Sequence, residues 1–230
     1  MRYSRQSPIL GEGGQERLEK SEVTIVGAGA LGTVAAELLC RAGVGKINIV
    51  DDDIIDLSNL QRQALYTEED VNKPKADTLK SHLSRINSEV KVEAHAVKLD
   101  DDNLQLLDSD LVLDCTDSIE TRQLMNKYLV RKGIKWIYCA ASRAKGSLFV
   151  IDGTPCFNCV FPHVKQGATC ESGILNANSH LMASLQAKEA IRILSGRGHE
   201  KSLLMVDTMD NRIEKITVKR DSDCGVCDED

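Results

Sequence analysis

The sequence predicts an α/β protein with a Rossmann-like, mostly parallel sheet that becomes mixed or antiparallel in its C-terminal part. Three observations lead to this fold class. Short apolar runs typical of strands alternate with amphipathic helical segments up to about residue 150. A glycine-rich turn follows the first of these strands, as in doubly wound α/β proteins. Beyond that region the alternation breaks down, and 230 residues suffice for one such domain with a full core.

The first βαβ unit is the most distinct part of this pattern. Val23–Val26 is predicted as a buried strand that runs into the turn Gly27-Ala-Gly29-Ala-Leu-Gly32. A helix is predicted over Ala30–Ala42, because the glycines that follow it end the helical pattern. The strand Lys46–Val50 then closes on Asp51. The order strand, glycine turn, helix and strand is that of one βαβ unit.

The remaining elements follow from hydrophobic periodicity. Further strands are predicted over Val90–Val97, Leu111–Asp114, Trp136–Ala140, Ser147–Ile151, Leu203–Val206 and Ile213–Val218. Helices are predicted over about Pro74–Ile86, Ile119–Arg131 and Leu181–Leu194, and Arg2–Lys20 forms a polar, glycine-bearing entry segment. The last two strands are expected to pair antiparallel, which makes the C-terminal part of the sheet mixed.

Composition and charge limit the classes of function. The net charge of −6 and the isoelectric point near 5.5 argue against nucleic acid as a partner, because binding it requires many cations. No apolar run approaches the roughly 18 residues that a membrane span needs. The first residues lack the apolar core of a signal peptide. We therefore expect a cytoplasmic protein that does not engage a membrane.

The glycine turn predicts a nucleotide site. Gly27 allows a tight strand-to-helix turn, Gly29 lets the backbone approach phosphate, and Gly32 lets the helix pack closely. Asp51 lies 22 residues after Gly29, where it would bind a ribose hydroxyl. A purely structural glycine turn is the alternative. The strand before the turn, the helix after it and the acidic residue at the next strand end favour nucleotide binding.

The polar residues beyond Asp51 favour a triphosphate over a nicotinamide cofactor. This set follows the ends of two predicted strands and comprises Asp53, Asn59, Arg62, Lys75 and Asp117. Arginine and lysine can neutralise charge on a transferring phosphoryl group, and Asp117 could hold Mg²⁺. The alternative is that Arg62 and Lys75 are solvated charges and that Asp117 is a helix N-cap.

Five of the eight cysteines require an explanation beyond packing. Cys40, Cys115 and Cys139 lie in apolar patterns and are predicted as small core residues. The two C-x-x-C pairs could supply four thiolates to one tetrahedral, structural Zn²⁺; they are Cys156 with Cys159 and Cys224 with Cys227. Two unrelated reduced pairs, or one redox-active pair, are the alternatives.

Cys170 lies in a polar loop that bears glycine, where an exposed thiol is plausible. It is predicted either as a nucleophile or as a half-buried loop thiol.

Taken together, the motifs resemble the ThiF/MoeB/HesA family of adenylyltransferases, which are similar to ubiquitin-activating enzymes. The resemblance covers nearly the whole chain. It is carried by Arg2-Tyr-Ser-Arg5-Gln, the glycine turn, Asp56-Leu-Ser-Asn59-Leu-Gln-Arg62-Gln63, Leu113-Asp-Cys-Thr-Asp117 and both cysteine pairs. The order and spacing of these motifs make it specific.

The resemblance implies that the enzyme uses MgATP to adenylate the C-terminal Gly-Gly carboxylate of a small ubiquitin-like sulfur-carrier protein, releasing pyrophosphate. It implies that Asp51 binds the ribose, that Asp53 and Asn59 line the nucleotide pocket, and that Arg62 and Lys75 contact the phosphates. By the same resemblance Asp117 binds magnesium. Arg5 would reach the ATP site of a partner subunit, which implies a homodimer. The four paired cysteines would bind zinc, and Cys170 would attack the adenylate or join the sulfurated carrier.

This interpretation divides the chain into one adenylation domain over 1–230. We expect an N-terminal arm at 1–20, a nucleotide-binding core at 21–150, and a part at 151–230 that carries the zinc, the crossover loop and the carrier-docking surface. No sulfurtransferase domain is found after Cys227, so we expect a separate sulfur donor, either a sulfurtransferase or a cysteine desulfurase. The alternatives are an enzyme that activates a carboxylate on tRNA, as threonylcarbamoyladenosine dehydratases do, a non-catalytic docking scaffold and an NAD-dependent dehydrogenase.

Overall fold

A computed structural model describes residues 2–162 and 173–227. Eight strands form one sheet in the order β3-β2-β1-β4-β5-β6-β7-β8. The strands are β1 (Glu22–Val26), β2 (Lys46–Val50), β3 (Lys91–His95), β4 (Leu111–Asp114), β5 (Trp136–Ser142), β6 (Lys145–Ile151), β7 (Leu203–Asp207) and β8 (Arg212–Ile216). Strands β1 to β5 pair in parallel and β5 to β8 pair antiparallel. The predicted fold class is confirmed.

Seven α-helices accompany these strands in the described ranges. They are α1 (Ser7–Leu10), α2 (Gly14–Lys20), α3 (Gly32–Ala42), α4 (Lys75–Ile86), α5 (Ile119–Lys132), α6 (Phe157–Val160) and α7 (Asn176–Leu194). Helices α3, α4 and α7 supply one hydrophobic core, on the sheet face to which Val23 and Ile25 contribute. Helices α5 and α6 contribute to a second core on the opposite face, with Val26 and Trp136.

The predicted strands and helices all occur, with shifted ends. The entry segment Arg2–Lys20 contains α1 and α2, which its glycines and polar residues concealed. The last helix begins at Asn176 rather than at Leu181. The prediction began too late because Asn178 and Ser179, which are fully buried, are polar and interrupt the apolar pattern. The final strand ends at Ile216 rather than Val218, where its pairing with Leu203 ends.

Strand order determines where a ligand can bind. The chain leaves β1 towards β2 on one side and later returns to β4 on the other, so the two connections separate at the carboxyl ends of β1 and β4. A crevice forms at such a switch point in doubly wound sheets. In the part of the chain that the structure describes, no helix combines the length and apolar character needed to cross a membrane.

Candidate active site

A cavity of about 870 Å³ opens at this switch point. Eight of the residues predicted to bind nucleotide or metal line it, namely Gly27, Gly29, Asp51, Asp53, Asn59, Arg62, Lys75 and Asp117. They come from the carboxyl ends of β1, β2 and β4 and from the segment that leads into α4. Residues up to 90 positions apart in sequence, Gly27 and Asp117, therefore share one site, as the joint placement of the motifs predicted.

The glycine turn requires glycine at two of its three glycine positions. Gly27 adopts a φ of +96°, and a side chain there would collide with the carbonyl oxygen of Cys115. A Cβ atom at Gly32 would lie 1.9 Å from the carbonyl oxygen of Gly27, so only glycine fits. At Gly29 the nearest atom to such a Cβ would be the amide nitrogen of Gln63 at 3.7 Å. Gly29 thus presents bare backbone to the cavity.

Asp51 holds the glycine turn against the end of β2. One of its carboxylate oxygens accepts the backbone N–H of Ala28 at 2.6 Å, and the other accepts that of Asp53 at 2.9 Å. Burial raises the pKa of Asp51, and the two N–H donors counteract this only in part. A carboxylate at this strand end can accept a ribose hydroxyl.

Lys75 is a buried cation at the first turn of α4. Its ammonium nitrogen lies 2.7 Å from Oδ2 of Asp53, whose side chain is mostly exposed to the cavity. The hydroxyl of Tyr66 lies 2.9 Å from the carbonyl oxygen of Ala28 and 3.1 Å from that of Lys75. The start of α4 is therefore fastened to the glycine turn, and Lys75 faces the cavity from a fixed backbone.

Arg62 is presented by a short 3-10 turn between β2 and α4. The N–H of Asp56 donates to Oδ1 of Asn59, while Oδ1 of Asp56 accepts the N–H of Ser58, which completes a capping box. The guanidinium of Arg62 donates to the carbonyl oxygen of Ser58 at 3.0 Å. Asn59 thus stabilises the turn in addition to lining the cavity.

Asp70 fixes the segment that joins Arg62 to Lys75. Its carboxylate accepts the N–H and hydroxyl of Thr67 and the ammonium of Lys73, and it lies 2.8 Å from Nε2 of His82. Burial alone would raise the pKa of Asp70, but the bonds from His82, Thr67 and Lys73 outweigh burial and lower it. Asp70 is a structural carboxylate outside the cavity lining.

Asp117 lies on the cavity wall, just before α5. The N-cap of α5 is Ser118, whose hydroxyl oxygen accepts the N–H of Thr121 at 3.2 Å. The alternative prediction that Asp117 caps this helix is therefore wrong. Its carboxylate is exposed towards the cavity. One carboxylate facing such a cavity would suit Mg²⁺ if a triphosphate were bound there, because Mg²⁺ takes few protein ligands together with phosphate oxygens.

A buried ion pair that was not predicted from the sequence lies beneath the loop that carries Asp117. Nε of Arg122 lies 2.7 Å from Oδ2 of Asp114, and both residues are at least nine-tenths buried. Burial alone would lower the pKa of the Arg122 guanidinium, but Asp114 holds it above its usual value. An aspartate that closes an otherwise apolar strand was the available signal, because such a carboxylate needs a cationic partner.

Arg5 lies far from this cavity within the same chain. The turn that contains it packs at the C-terminal end of α3, where the amide of Gln6 donates to the carbonyl oxygen of Ala42 at 2.9 Å. The Tyr3 hydroxyl accepts a hydrogen bond from Asn87 at 2.9 Å. The glycine turn is at the other end of α3, so Arg5 cannot serve the cavity of its own chain.

The four paired cysteines form one cluster, which joins α6 to the segment after β8. Their sulfur atoms all lie within 4.8 Å of one another; the residues are Cys156, Cys159, Cys224 and Cys227. The sulfurs of Cys156 and Cys224 are 3.6 Å apart, and those of Cys159 and Cys227 are 3.5 Å apart. Four thiolates around Zn²⁺ require S···S separations of about 3.8 Å, given Zn–S bonds of ~2.3 Å. The cluster could therefore hold zinc.

The sequence context of the other cysteines predicted three core residues and one loop residue, of which the structure describes the three core residues. Cys40, Cys115 and Cys139 are buried in the main core, as predicted. Cys170 lies outside the described residues, and its role as nucleophile or loop thiol stays a prediction.

Comparison with known proteins finds relatives over nearly the whole chain. The profile of the ThiF family matches residues 3–226. The sulfur carrier protein adenylyltransferase of Thermus thermophilus is 37% identical, with 98% of this chain and 90% of that protein covered. The molybdopterin-synthase adenylyltransferase of Escherichia coli is also 37% identical, covering 99% and 96%. The crystal structure of E. coli MccB with ATP superimposes with a TM-score of 0.84 at 23% identity, covering 99% of this chain and 74% of that one.

The likeness to MccB concerns the fold alone. Together with the more similar relatives, the fold and the cavity define an ATP-dependent adenylyltransferase. The chain belongs to the ThiF family.

Proposed function

We propose that this enzyme adenylates the C-terminal Gly-Gly carboxylate of a small ubiquitin-like sulfur-carrier protein. A carboxylate oxygen attacks the α-phosphorus of ATP, the bond from that phosphorus to the bridging oxygen breaks, and pyrophosphate leaves. The product is a mixed anhydride, the acyl adenylate, which is activated for later thiocarboxylate formation. Sulfur-carrier specificity is suggested by the name of the relative from T. thermophilus.

The shape of the cavity carries this proposal. Beyond the nucleotide-binding residues, the cavity continues along β5 and β6, where small residues line it, namely Ala140, Ala141, Ser142, Gly146 and Ser147. Small side chains on β5 and β6 leave room for an extended chain, such as two glycines, to lie against the sheet. The tail would then reach the α-phosphate over the sheet while the carrier's folded body stays outside.

The cations of the site meet the electrostatic demand of this reaction. A carboxylate that approaches a polyanion is repelled unless positive charge is fixed along the phosphates. Arg62 and Lys75 provide that charge from the turn and from the start of α4. No general base is required, because a C-terminal carboxylate is already ionised near neutral pH.

Two metal ions would assist in different ways. Asp117 would hold Mg²⁺, which screens the phosphates when it is bound with ATP. The cysteine cluster would hold a structural Zn²⁺, which needs no open coordination position. The zinc would connect α6 to the segment after β8 and so fix the antiparallel edge of the sheet.

We further propose a homodimer with shared active sites. Arg5 would enter the cavity of the partner subunit, since it lies at the opposite end of α3 from its own cavity. The sulfur would come from a separate donor, a sulfurtransferase or a cysteine desulfurase. Cys170 would then either form a covalent link with the sulfurated carrier or serve only as a loop residue.

The proposal is tested by ATP–pyrophosphate exchange with a panel of purified small carriers that end in Gly-Gly. We expect exchange with one carrier and none after its last glycine is removed. Ser147→Phe should obstruct the cavity along β5 and β6 and abolish exchange while leaving the affinity for α,β-methylene-ATP unchanged, and Ser147→Ala is the matched control. Exchange with a tRNA carboxylate, or equal exchange by the Phe variant, would overturn the assignment.

A further inference from the structure

The loop that carries Asp117 is fastened from beneath by Asp114. One oxygen of that fully buried carboxylate accepts both the N–H and the hydroxyl of Thr116, at 3.0 and 2.8 Å. The other oxygen accepts Nε of Arg122 at 2.7 Å. The residue directly before Asp117 is therefore held at its N–H and its hydroxyl by one carboxylate.

Arg122 closes this arrangement from α5. Its Nη2 donates to the carbonyl oxygen of Thr116 and, at 3.3 Å, to that of Cys139 in β5. Its guanidinium also lies over the Tyr138 ring, 5.0 Å from the centroid. A single side chain thus joins helix α5, the Thr116–Asp117 peptide and strand β5.

Stability alone is a weak reason for such a pair. Desolvating two charges costs about as much as their attraction returns, and buried ion pairs can often be replaced by apolar residues without loss. What an apolar replacement would not reproduce is the set of three hydrogen bonds to the Thr116 backbone and hydroxyl. The arrangement fixes orientation at a residue adjacent to the candidate magnesium ligand.

We propose that Arg122 and Asp114 are positioning residues that orient the Asp117 carboxylate for the magnesium of MgATP. This inference rests on the proposed magnesium role of Asp117. Mg²⁺ requires near-ideal octahedral geometry, so a carboxylate held in the wrong direction loses its value as a ligand. Groups that orient a metal ligand commonly matter about 10–100-fold for metal affinity.

The test compares the affinity for α,β-methylene-ATP with and without Mg²⁺, by calorimetry in excess Mg²⁺ and in EDTA. For Arg122→Lys, which keeps the charge but cannot bridge the same acceptors, we expect the magnesium-dependent gain to fall about tenfold. Affinity in EDTA should be unchanged. In an Asp117→Asn background, where the gain is already lost, Arg122→Lys should have no further effect.

Lys127→Gln, an exposed charge change on the same helix, is the matched control and should leave both affinities unchanged. Thermal unfolding checks each variant. If Arg122→Lys does not fold, Thr116→Val removes the hydroxyl bond to Asp114 at nearly constant volume and should give a smaller loss of the same kind.

If Arg122→Lys still lowers the magnesium-dependent gain in affinity in the Asp117→Asn background, the positioning role is overturned but the proposed function is not. An Asp117→Asn variant that keeps the full magnesium-dependent gain would overturn both this inference and the proposed role of Asp117. Exchange activity without any carrier dependence would instead count against the proposed function. The three failures are therefore distinguishable.

Discussion

The ammonium nitrogen of Lys75 lies 2.7 Å from a carboxylate oxygen of Asp53, and only 6% of Lys75 is exposed. A buried ammonium requires a counter-charge, because an isolated one is costly to remove from water. Asp53 supplies that charge through a side chain that remains mostly accessible from the cavity. Lys75 is thus paired with a counter-charge and lines the cavity where phosphates would lie.

Removing the Lys75 charge should therefore impair the reaction more than the fold. We expect Lys75→Met to lower the rate of ATP–pyrophosphate exchange by about 100-fold or more, as when one preorganised electrostatic group is deleted. The methionine can fill the space of the lysine stem. Exchange kinetics and circular dichroism measure the two effects. Lys80→Met, on the exposed face of the same helix, is the control; an unimpaired Lys75→Met enzyme would refute the assignment.

Substitution of Arg62 or Asp117 should impair the reaction in a similar way. We expect Arg62→Ala or Asp117→Ala to abolish carrier-dependent exchange while the circular dichroism spectrum stays unchanged, because both side chains face the cavity rather than the core. Normal exchange by the Asp117→Ala enzyme would remove that residue from the site.

Two inactive variants should complement each other if Arg5 acts in the partner's cavity. In a heterodimer of Arg5→Ala and Lys75→Met subunits, one cavity keeps its own Lys75 and receives an intact Arg5. Random mixing of equal amounts should restore about a quarter of wild-type exchange, since half the dimers are mixed and each has one complete site. Mixtures that stay inactive after verified subunit exchange would contradict the shared-site arrangement.

Metal analysis should find about one zinc per chain in protein purified without chelator. Cys227→Ser should lose the metal and lower the melting temperature by about 8–16 °C, taking ~4 kcal/mol for a long closed loop and ~2–4 °C per kcal/mol. Cys40→Ala, a change at a buried core thiol, should keep the zinc. A wild-type protein that contains no zinc, and whose melting temperature does not exceed that of Cys227→Ser, would contradict a structural zinc site.

Asp70 should make stability depend on acid pH. The pKa of Asp70 is lower in the folded state than in the unfolded state. Its ionisation therefore stabilises the fold at every pH above the ordinary aspartate pKa of ~3.9, and this stabilisation is lost as the pH falls further, through the folded-state pKa. We expect Asp70→Asn to cost about 1–3 kcal/mol at pH 7. The difference in free energy of unfolding between wild type and Asp70→Asn should become smaller below about pH 4. Urea unfolding measures it, with the exposed Asp101→Asn as control; a difference independent of pH would disprove this account.

The sequence predicted elements whose cause is local. Val23–Val26, the glycine turn and Lys46–Val50 follow from short-range periodicity and from the steric needs of Gly27 and Gly32, and they occur as predicted. The eight cavity residues could be grouped because parallel strands bring their carboxyl ends to one edge of the sheet.

What the sequence could not reveal depends on pairings across long distances. Nothing near Arg122 indicates that it turns inwards, because its partners Asp114 and Cys139 lie on two different strands. The start of α7 was predicted too late for the same reason: Asn178 donates to the carbonyl oxygen of Lys145 in β6, so a polar residue is buried there. Local polarity is a poor guide where tertiary hydrogen bonds satisfy the polar group.

The change of strand direction at β5 separates two kinds of connection within one sheet. Parallel strands need crossover helices, so their order resists rearrangement, whereas neighbouring antiparallel strands can be joined by tight turns and exchanged as a hairpin. The nucleotide-binding turns lie on the parallel side of β5, and the β7–β8 hairpin lies on the other. The β7–β8 hairpin can therefore change in sequence or length without disturbing the connections that carry the nucleotide-binding turns.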